Sequence, residues 1–382
     1  MQPNNAIFIK QRMFHFAKLK DCEIKVVAPI PYFPPIPLSQ RWFQYSQIKK
    51  VEIMNGVEIF HPRYFLIPKI SMGFQGFSLF LSSLKLIREV YRTFPFDLID
   101  GHYIYPDGFA ATLLAKMMKK PVVLSARGSD INQFVGFRSI KPMIRYSMES
   151  ASHLISVCEA LKKEMACMGI KDEKISVIPN GVDTGQFKPI DRREAREILS
   201  LPNHGRIILS VGSLIPRKGF DILLTAFHRL LQDDRDLHLY IIGEGPSRTN
   251  LQRQIKELQL SAQVTLLGEI PNEKLMTWYN AADVSCLASS REGWANVIME
   301  SLACGTPVVA TKTWGTPEIL NSTDLGILVD YTSQSFSEGM NRGLGINWDR
   351  RRIRAHVEHR SWFKVANEVK GVFDRVLNES VV

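Results

Sequence analysis

SSREGWANVIMESLACGTPVVA, at residues 289–310, carries the signals that decide the fold of this chain. An apolar, β-branched run ends just before it, and a polar loop with Glu292 follows. Apolar residues at helical spacing predict a helix over about residues 296–303, and Gly305 is placed to end that helix. Residues 306–310 then predict another strand. A strand, a crossover helix and a second strand in this order are typical of a parallel sheet.

The same alternation of strand-like and helix-like segments runs through the whole chain. It predicts an α/β fold with two successive parallel sheets, because 382 residues exceed what one hydrophobic core usually supports. Helix-like segments include residues 108–119 and 222–231. The predicted strands are residues 24–28, 98–102, 122–126, 153–157, 175–178, 207–212, 237–243, 264–268, 284–288, 306–310 and 326–329.

A domain boundary is predicted near IPNGVD, residues 178–183, where Pro, Asn and Gly interrupt the periodicity. We expect an N-terminal domain over residues 1–178 and a C-terminal domain over residues 179–360. Residues 361–382 should form a helix, because apolar side chains recur there at helical spacing. We expect that helix to pack back on the N-terminal domain.

The positive charge of the chain is confined to its first half. Residues 1–178 hold 24 Lys and Arg against 14 Asp and Glu, whereas residues 179–382 hold 24 of each kind. A basic half with stretches such as FVGFRSIKPMIRY, residues 134–146, suits phosphate, nucleic acid or an anionic membrane surface. A basic surface without such a partner is the alternative. No recognised nucleic-acid-binding module is present, which disfavours nucleic acid.

Three absences in the sequence narrow the class of protein. The five cysteines form no CxxC pair, and no apolar stretch approaches the roughly 18 residues that a spanning helix needs. No GxGxxG follows a strand with an acidic residue about 20 positions later, which disfavours a nicotinamide dehydrogenase. We expect a cytoplasmic protein, held peripherally at the inner face of the plasma membrane by its basic half.

Two carboxylates flank the start of the predicted helix in the opening stretch. Glu292 stands in the loop and Glu300 two turns along the helix, so the helix N-terminus lies between them. Backbone amides and the helix dipole at that terminus suit a diphosphate, and carboxylates accept hydrogen bonds from sugar hydroxyls. The alternative is an exposed helix residue beside an ordinary loop charge.

Three further loops follow predicted strands and carry groups that suit phosphate. GSLIPRKGFD, residues 212–221, places Arg217 beside Lys218, where an α/β sheet holds its phosphate-binding groups. A solvent-exposed Arg-Lys pair is the alternative. The other two loops are glycine-bearing and could approach a nucleotide closely, at residues 243–246 and 313–318.

PRKGFD, IGEGP, REGWANVIMESLACGTPVVA and GTPEIL, in this order and spacing, resemble the donor-side motifs of retaining GT-B glycosyltransferases of family 4. The resemblance covers the C-terminal half. The resembled family includes enzymes that build cell-surface glycans. It implies two Rossmann-like domains facing across a cleft. It also implies metal-independent transfer of a sugar from a nucleoside-diphosphate sugar, with UDP or GDP as the nucleotide and no cofactor, to a glycan or lipid-linked acceptor.

The resemblance assigns a role to each matching residue. Arg217 and Lys218 match the basic pair that binds the donor diphosphate, Glu292 matches the glutamate near the transferred sugar, and Glu300 matches the one on the ribose. Lys218, Arg217, Glu292 and His102 are therefore the expected catalytic set. The expected donor-binding residues are Gly212, Gly243, Gly245, Gly293, Trp294, Asn296, Val297, Glu300 and Gly315.

The N-terminal half resembles the family less closely. His102 in DLIDGHYIYPDG is a plausible contact in the cleft, and a buried, hydrogen-bonded histidine is the alternative. In LSARGSDIN, Arg127 stands where many relatives have a histidine, followed by Asp130. Arg127 suits an anionic acceptor group such as a lipid diphosphate, or it clamps Asp130.

The beginning of the sequence also differs from the resembled pattern. Residues 5–19 already read as the first loop and helix, and residues 24–28 as the second strand, so the first strand is expected to be missing. We hypothesise that about 20 residues precede Met1 in the natural gene or were lost, which an upstream in-frame stop codon would decide. The missing strand leaves open a sugar-nucleotide-binding protein without catalysis. An epimerase of the same architecture is a separate alternative.

Overall fold

The computed structural model describes residues 7–32, 40–67, 71–232 and 236–380. The chain divides into two compact units. One comprises Met1–Pro179 and Phe363–Val382, and the other comprises Asn180–Trp362. We refer to them as the N-terminal unit and the C-terminal unit. The acceptor-binding and nucleotide-sugar-binding roles expected of the two halves stay predictions.

The helices and strands are numbered in chain order, and short 3₁₀ segments are left unnumbered. The helices are α1 (Ile7–Phe16), α2 (Gln40–Ser46), α3 (Gln75–Thr93), α4 (Phe109–Met118), α5 (Ser129–Asn132), α6 (Lys141–Ser150), α7 (Glu159–Cys167), α8 (Arg192–Ile198), α9 (Phe220–Leu230), α10 (Arg248–Glu257), α11 (Leu275–Ala281), α12 (Asn296–Ala303), α13 (Thr316–Ile319), α14 (Ser333–Gly345), α15 (Arg350–Glu358) and α16 (Trp362–Ser380). The strands are β1 (Val26–Val27), β2 (Ile30–Pro31), β3 (Val51–Met54), β4 (Val57–Phe60), β5 (Arg63–Tyr64), β6 (Ile99–His102), β7 (Val122–Ala126), β8 (His153–Ser156), β9 (Ile175–Val177), β10 (Arg206–Val211), β11 (Leu237–Ile242), β12 (Val264–Gly268), β13 (Val284–Leu287), β14 (Val308–Thr311) and β15 (Gly326–Val329).

The C-terminal unit is built on one six-stranded sheet, in the order β12-β11-β10-β13-β14-β15. All neighbouring strands are parallel. The chain starts in the centre at β10, adds two strands on one side, and then crosses over to add three on the other side. This is the 3-2-1-4-5-6 order of the Rossmann fold, in which ligands bind at the carboxyl ends of the strands where the order reverses. Here that point lies between β10 and β13.

The N-terminal unit contains a second parallel arrangement. Strands β6, β7, β8 and β9 form a parallel four-stranded sheet, and β1 pairs in parallel with β4. Within the described ranges, β6 pairs only with β7, and β1 only with β4. The predicted strand over residues 24–28 is thus reduced to two residues, Val26–Val27.

A β-hairpin in the N-terminal unit was not predicted from the sequence. Strands β3 and β4 pair antiparallel across a two-residue turn at Asn55 and Gly56, which both have positive φ angles, of 51° and 81°. An Asn-Gly turn between alternating apolar residues is a strong hairpin signal. The hairpin covers residues that the helix–strand alternation had left unassigned.

The last helix returns to the N-terminal unit. Except for its first residue, α16 groups with the N-terminal residues, and the ring centroid of Phe373 lies 5.3 Å from that of Phe16 in α1. Val365, Val369 and Val372 repeat at helical spacing and are buried. This confirms the expected return of the C-terminal helix, which the apolar stripe along residues 361–382 had indicated.

Helix α12 has the bounds expected from the sequence, and Gly305 follows its C-cap as expected. Gly305 has a φ of 75°, in the left-handed region that favours glycine. Its amide donates to the carbonyl of Leu302 (2.9 Å), and the amide of Thr306 donates to that of Ser301 (3.0 Å). A Cβ atom at this position would lie 2.7 Å from the carbonyl oxygen of Arg350.

We therefore expect Gly305→Ala to destabilise the C-terminal unit by about 1–3 kcal/mol, because it adds both backbone strain and a clash with backbone. Five of the six tryptophans lie in this unit, so urea unfolding followed by tryptophan fluorescence measures its stability. The control is Gly345→Ala at the end of α14, where an added Cβ meets no atom within 4 Å. It should change stability by no more than about 0.5 kcal/mol. Equal effects of the two substitutions would contradict this account of the cap.

Candidate active site

Four loops meet at the carboxyl edge of the six-stranded sheet. They follow β10, β11, β13 and β14, which are adjacent in the sheet. Hydrogen bonds join them in series. The amide of Leu214 donates to the carbonyl of Glu244 (2.9 Å), the amide of Ser290 donates to that of Arg217 (2.8 Å), and the hydroxyl of Thr313 donates to that of Ser290 (2.9 Å). The loops predicted from separate motifs therefore form one connected structure.

Gly219 permits the closest approach between two of these loops. It follows Lys218 with a φ of 64°, and a Cβ atom there would lie 2.0 Å from the carbonyl oxygen of Ala288. A side chain at this position would push the loop after β10 away from the loop after β13. The glycine in PRKGFD thus determines how near Lys218 lies to the residues that follow β13.

Lys218 and Glu292 form an ion pair at the point where strand order reverses. The Lys218 Nζ lies 2.5 Å from Glu292 Oε1, and the Ser289 hydroxyl donates to the same oxygen at 2.6 Å. The Glu292 carboxyl is only 7% exposed. Burial alone would raise its pKa, but the charges of Lys218 and Arg217, together with these hydrogen bonds, hold the pKa below its ordinary value. Glu292 is therefore ionised at neutral pH.

Arg217 lies beside this pair but reaches further into solvent. Its guanidinium lies 3.7 Å from Glu292 Oε2 and donates to the carbonyl of Arg291 at 3.1 Å. The Arg217 side chain is 40% exposed, whereas that of Lys218 is 13% exposed. Lys218 is consequently an internal member of the loop cluster, unlike the solvent-exposed pair that the sequence left as an alternative. Ser289 was not among the predicted site residues.

Glu300 is also buried, but its partners are neutral. It is the fifth residue of α12, so it stands one turn into the helix and not the expected two. Glu300 is 8% exposed and accepts hydrogen bonds from Tyr279 Oη (2.9 Å) and Asn272 Nδ2 (3.2 Å). Burial raises the pKa of Glu300 to about 7, although the two hydrogen bonds act in the opposite direction. The alternative of an exposed helix residue is wrong. Tyr279 and Asn272 were not predicted, because nothing in the local sequence links them to Glu300.

Two buried polar atoms in these loops have no hydrogen-bond partner among the residues described. They are the indole Nε1 of Trp294, in the loop after β13, and the hydroxyl of Thr316, directly after Gly315. Leaving such a group unpaired costs about 1–3 kcal/mol, and native proteins usually complete such groups with water or a ligand. These two unpaired atoms therefore support a ligand site at the same edge of the sheet.

The other predicted donor-side residues lie in the same four loops. Gly212 directly follows β10, and Gly243 with Gly245 follows β11. Asn296 begins α12 and accepts a hydrogen bond from Asn180 Nδ2 (3.1 Å). Gly293 stands just before α12, Val297 lies in the first turn of that helix, and Gly315 stands just before α13.

The N-terminal unit contains its own polar cluster, at the carboxyl ends of β6 and β7, in which Arg12 and Arg127 are buried and His102 is partly buried. His102 Nε2 lies 3.3 Å from Asp100 Oδ2, and the Arg127 guanidinium donates to His102 Nδ1 at 2.7 Å. Arg12 from α1 pairs with Asp100 on the same oxygen at 2.8 Å. Burial, opposed by Asp100 and reinforced by the two arginines, lowers the pKa of His102 to about 4. The imidazole is therefore neutral at pH 7 and, with Nδ1 accepting, donates from Nε2.

Asp130 lies under the loop that follows β7. Its carboxylate accepts hydrogen bonds from the backbone amides of Ile104 (2.8 Å) and Gly128 (2.8 Å), and at longer range from that of Arg127 (3.1 Å). It holds the backbone of Arg127 in place, while the Arg127 guanidinium reaches His102. Burial lowers the pKa of that guanidinium to about 9. Arg12 and Asp100, which complete this cluster, were not predicted.

Two searches of the described residues bear on metals and membranes. No group of three or more His, Cys, Asp or Glu side chains there is arranged to hold a metal ion. No helix within those ranges has the length and apolar character to cross a bilayer. Metal independence and membrane contact both stay predictions.

Known proteins resemble the chain along most of its length. TuaC of Bacillus subtilis, named as a teichuronic acid biosynthesis glycosyltransferase, is 25% identical over 347 residues, which are 90% of this chain and 85% of TuaC. The phosphatidylinositol N-acetylglucosaminyltransferase GPI3 subunit of Saccharomyces cerevisiae is 23% identical over 308 residues, which are 77% of this chain and 64% of that protein. The crystal structure of Anabaena Alr3699/HepE in complex with UDP has the same fold, with a TM-score of 0.71, 20% identity and 95% coverage of both chains.

Two family models match the two halves separately. The model described as glycosyltransferase family 4 matches residues 25–186, and the model described as glycosyl transferases group 1 matches residues 191–359. The second match contains Lys218, Glu292 and Glu300, and the first contains His102 and Arg127. With both halves matched and the fold shared, this chain belongs to the GT-B glycosyltransferases of family 4.

Proposed function

We propose that this glycosyltransferase moves a sugar, with retention and without a metal ion, from a nucleoside-diphosphate sugar to a glycan or lipid-linked acceptor of the cell surface. The observation that carries the proposal is the buried Lys218–Glu292 ion pair, 2.5 Å long, at the reversal point of the sheet. A cation held there by a carboxylate is suited to phosphate, and the carboxylate is suited to sugar hydroxyls.

The donor would lie across the start of α12. Its diphosphate would face Lys218, Arg217 and the amide groups at the helix N-terminus, where the helix dipole favours negative charge. Its ribose hydroxyls would donate to the carboxylate of Glu300. UDP is the nucleotide we favour first, because the similar Anabaena structure was determined in complex with UDP. GDP is the second choice.

Transfer breaks the bond between the anomeric carbon and the diphosphate oxygen, and forms a bond from that carbon to an acceptor hydroxyl oxygen. The hydroxyl proton leaves to the departing diphosphate or to water, and negative charge accumulates on the diphosphate oxygen. Lys218 has three N–H donors, of which Glu292 accepts one. The other two, with Arg217, would stabilise the departing diphosphate in place of a divalent ion.

The acceptor side of the proposal rests on the N-terminal unit. Neutral His102 and the Arg127 guanidinium lie together at the ends of two parallel strands, where an anionic acceptor group could bind. TuaC is named for teichuronic acid biosynthesis and the GPI3 subunit for phosphatidylinositol N-acetylglucosaminyl transfer, and the second name supports a lipid acceptor. We propose a lipid-linked acceptor and a protein held at the inner face of the membrane by the basic N-terminal unit.

Incubation of the purified protein with UDP, GDP and ADP sugars tests the proposal directly. Release of nucleoside diphosphate, with the product formed in the donor's anomeric configuration, is the expected result. Equal turnover with and without EDTA is the expected sign of metal independence. Nucleotide binding without turnover of any donor would instead favour the sugar-nucleotide-binding protein, and interconversion of free sugar nucleotides would favour the epimerase.

Lys218→Ala should lower transfer by at least about 100-fold, because one preorganised charge at the departing group typically contributes that much. The rate of nucleoside diphosphate release measures the effect. Lys256→Ala, which removes an exposed lysine from α10, is the matched control and should leave the rate unchanged. A Lys218→Ala enzyme of full activity would remove this residue from the active site.

Nucleotide affinity should depend on pH through Glu300. The carboxyl has a pKa of about 7, so it is mostly ionised at pH 8 and mostly protonated at pH 6. Because the ionised carboxylate is the stronger acceptor of hydrogen bonds from ribose hydroxyls, UDP should bind more weakly at pH 6 than at pH 8, by up to about tenfold, as measured by calorimetry.

The control for this dependence is Glu300→Gln, which cannot ionise. At pH 8 this variant should bind UDP about as weakly as the unmodified protein does at pH 6. Its remaining change between the two pH values measures titration of the nucleotide phosphate. If the unmodified protein and the variant show the same pH dependence, Glu300 does not contact the nucleotide in its ionised form.

A further inference from the structure

The N-terminal unit exposes a cluster of large apolar side chains, which we call the α3 patch. Five residues form it, each between 39% and 63% exposed: Phe65, Phe74, Phe77, Leu81 and Phe137. A protein that exists alone in water rarely exposes so many aromatic and large aliphatic side chains in one place. Their exposure therefore requires an explanation.

Phe74, Phe77 and Leu81 form one strip along the start of α3. The rings of Phe74 and Phe77 stack with centroids 5.8 Å apart, and Leu81 follows one helical turn later in α3. The Ser78 hydroxyl in α3 donates to the carbonyl of Phe65 at 2.8 Å, which places Phe65 against the same helix.

Phe137 lies on a segment that neighbours the start of α3. A Cβ atom at Gly73 would lie 3.2 Å from the hydroxyl of Ser139, so the segment that carries Phe74 touches the one that carries Phe137. The five side chains therefore lie on two adjacent segments and on the first turns of one helix.

Four basic residues lie on the same segments as the patch residues. Lys85 and Arg88 follow Leu81 along α3, and both help to line a shallow surface pocket with Leu81. On the other segment, Arg138 and Lys141 are exposed next to Phe137. The nearest acidic group on α3 is Glu89, 3.9 Å from Lys85. Exposed apolar side chains with cations next to them are complementary to a bilayer whose surface carries anionic headgroups.

The α3 patch also adjoins the acceptor-side residues of the same unit. Tyr105, three residues after His102, donates its hydroxyl to the carbonyl of Met72 at 2.5 Å. Its ring centroid lies 6.3 Å from that of Phe134, in the loop that follows Asp130. Met72, two residues before Phe74, is thus hydrogen-bonded to the segment that follows His102.

We infer that the α3 patch is the surface by which this protein docks on an anionic lipid bilayer. The aromatic and leucine side chains enter the region between headgroups and acyl chains, and the lysines and arginines contact lipid phosphates. A lipid-linked acceptor in that bilayer then lies next to His102 and Arg127. The inference rests on the proposed function for its choice of a lipid partner, and it adds the residues that make the contact.

Flotation of the full-length protein with vesicles tests the inference. One set of vesicles is pure phosphatidylcholine and the other contains about 30% phosphatidylglycerol, enough to give a negative surface potential. The unmodified protein should bind the anionic vesicles at least about tenfold more strongly, and high salt should reduce the difference. Phe74→Ser with Leu81→Ser should weaken binding to anionic vesicles at least about tenfold.

The matched control is Ile53→Ser with Ile198→Ser, which removes two exposed isoleucines that are not members of the patch, 70% and 61% exposed. This control should bind vesicles as the unmodified protein does. Equal vesicle binding by the patch variant and the control would overturn the inference, and so would absence of binding by the unmodified protein or equal binding to both kinds of vesicle. A shift of the patch variant to a smaller species in size-exclusion chromatography would assign the patch to a second copy of the chain instead.

The outcome is independent of the donor reaction. Glu292, Glu300 and Lys218 belong to the other unit, so UDP binding should be unchanged in the patch variant and also reports that it is folded. Vesicle binding without sugar transfer would leave the docking surface standing and contradict the proposed reaction. Sugar transfer with no vesicle binding would contradict the docking surface and leave the proposed reaction standing.

Discussion

The carboxyl edge of the sheet in the C-terminal unit depends on one buried ion pair, between Lys218 and Glu292. A carboxylate that is 7% exposed is costly unless a cation and hydrogen-bond donors accompany it. Lys218 and Ser289 supply both, and they come from loops after two strands that are neighbours only because the chain reverses its order between them. Gly219 is required because the two loops approach to contact distance there. The sheet topology, the glycine and the ion pair therefore act as one constraint.

The two glutamates of the opening stretch differ in charge state because their partners differ. Glu292 lies beside two cations, and its pKa falls below the ordinary value. Glu300 has only a phenol and an amide, and its pKa rises to about 7. Environments that push the pKa values of nearby carboxyls apart usually correspond to separate tasks. A permanent charge next to the diphosphate and a titratable acceptor for neutral hydroxyls fit the two positions proposed for them.

The sequence predicted best where a signal is local. Strands β7, β12 and β15 and helix α12 have the bounds that apolar periodicity indicated, because buried parallel strands and capped helices leave a continuous pattern. The Asn55-Gly56 hairpin had a local signal that was overlooked. The partners of Glu300 had none, since Tyr279 and Asn272 stand 21 and 28 residues away and meet it only in the folded sheet. Arg12 with Asp100, 88 residues apart, is a similar case.

The return of α16 to the N-terminal unit makes the C-terminal unit an insertion within the other one. During synthesis, Asn180–Trp362 is a continuous segment whose strands have all been made before the residues that follow it. The N-terminal unit, in contrast, still lacks Phe373 against Phe16 until α16 leaves the ribosome. Domains generally fold as their residues emerge, so the half encoded first is completed last. A frameshift that removes α16 would consequently destabilise the N-terminal unit, which is encoded first, and leave the sequence of Asn180–Trp362 unchanged.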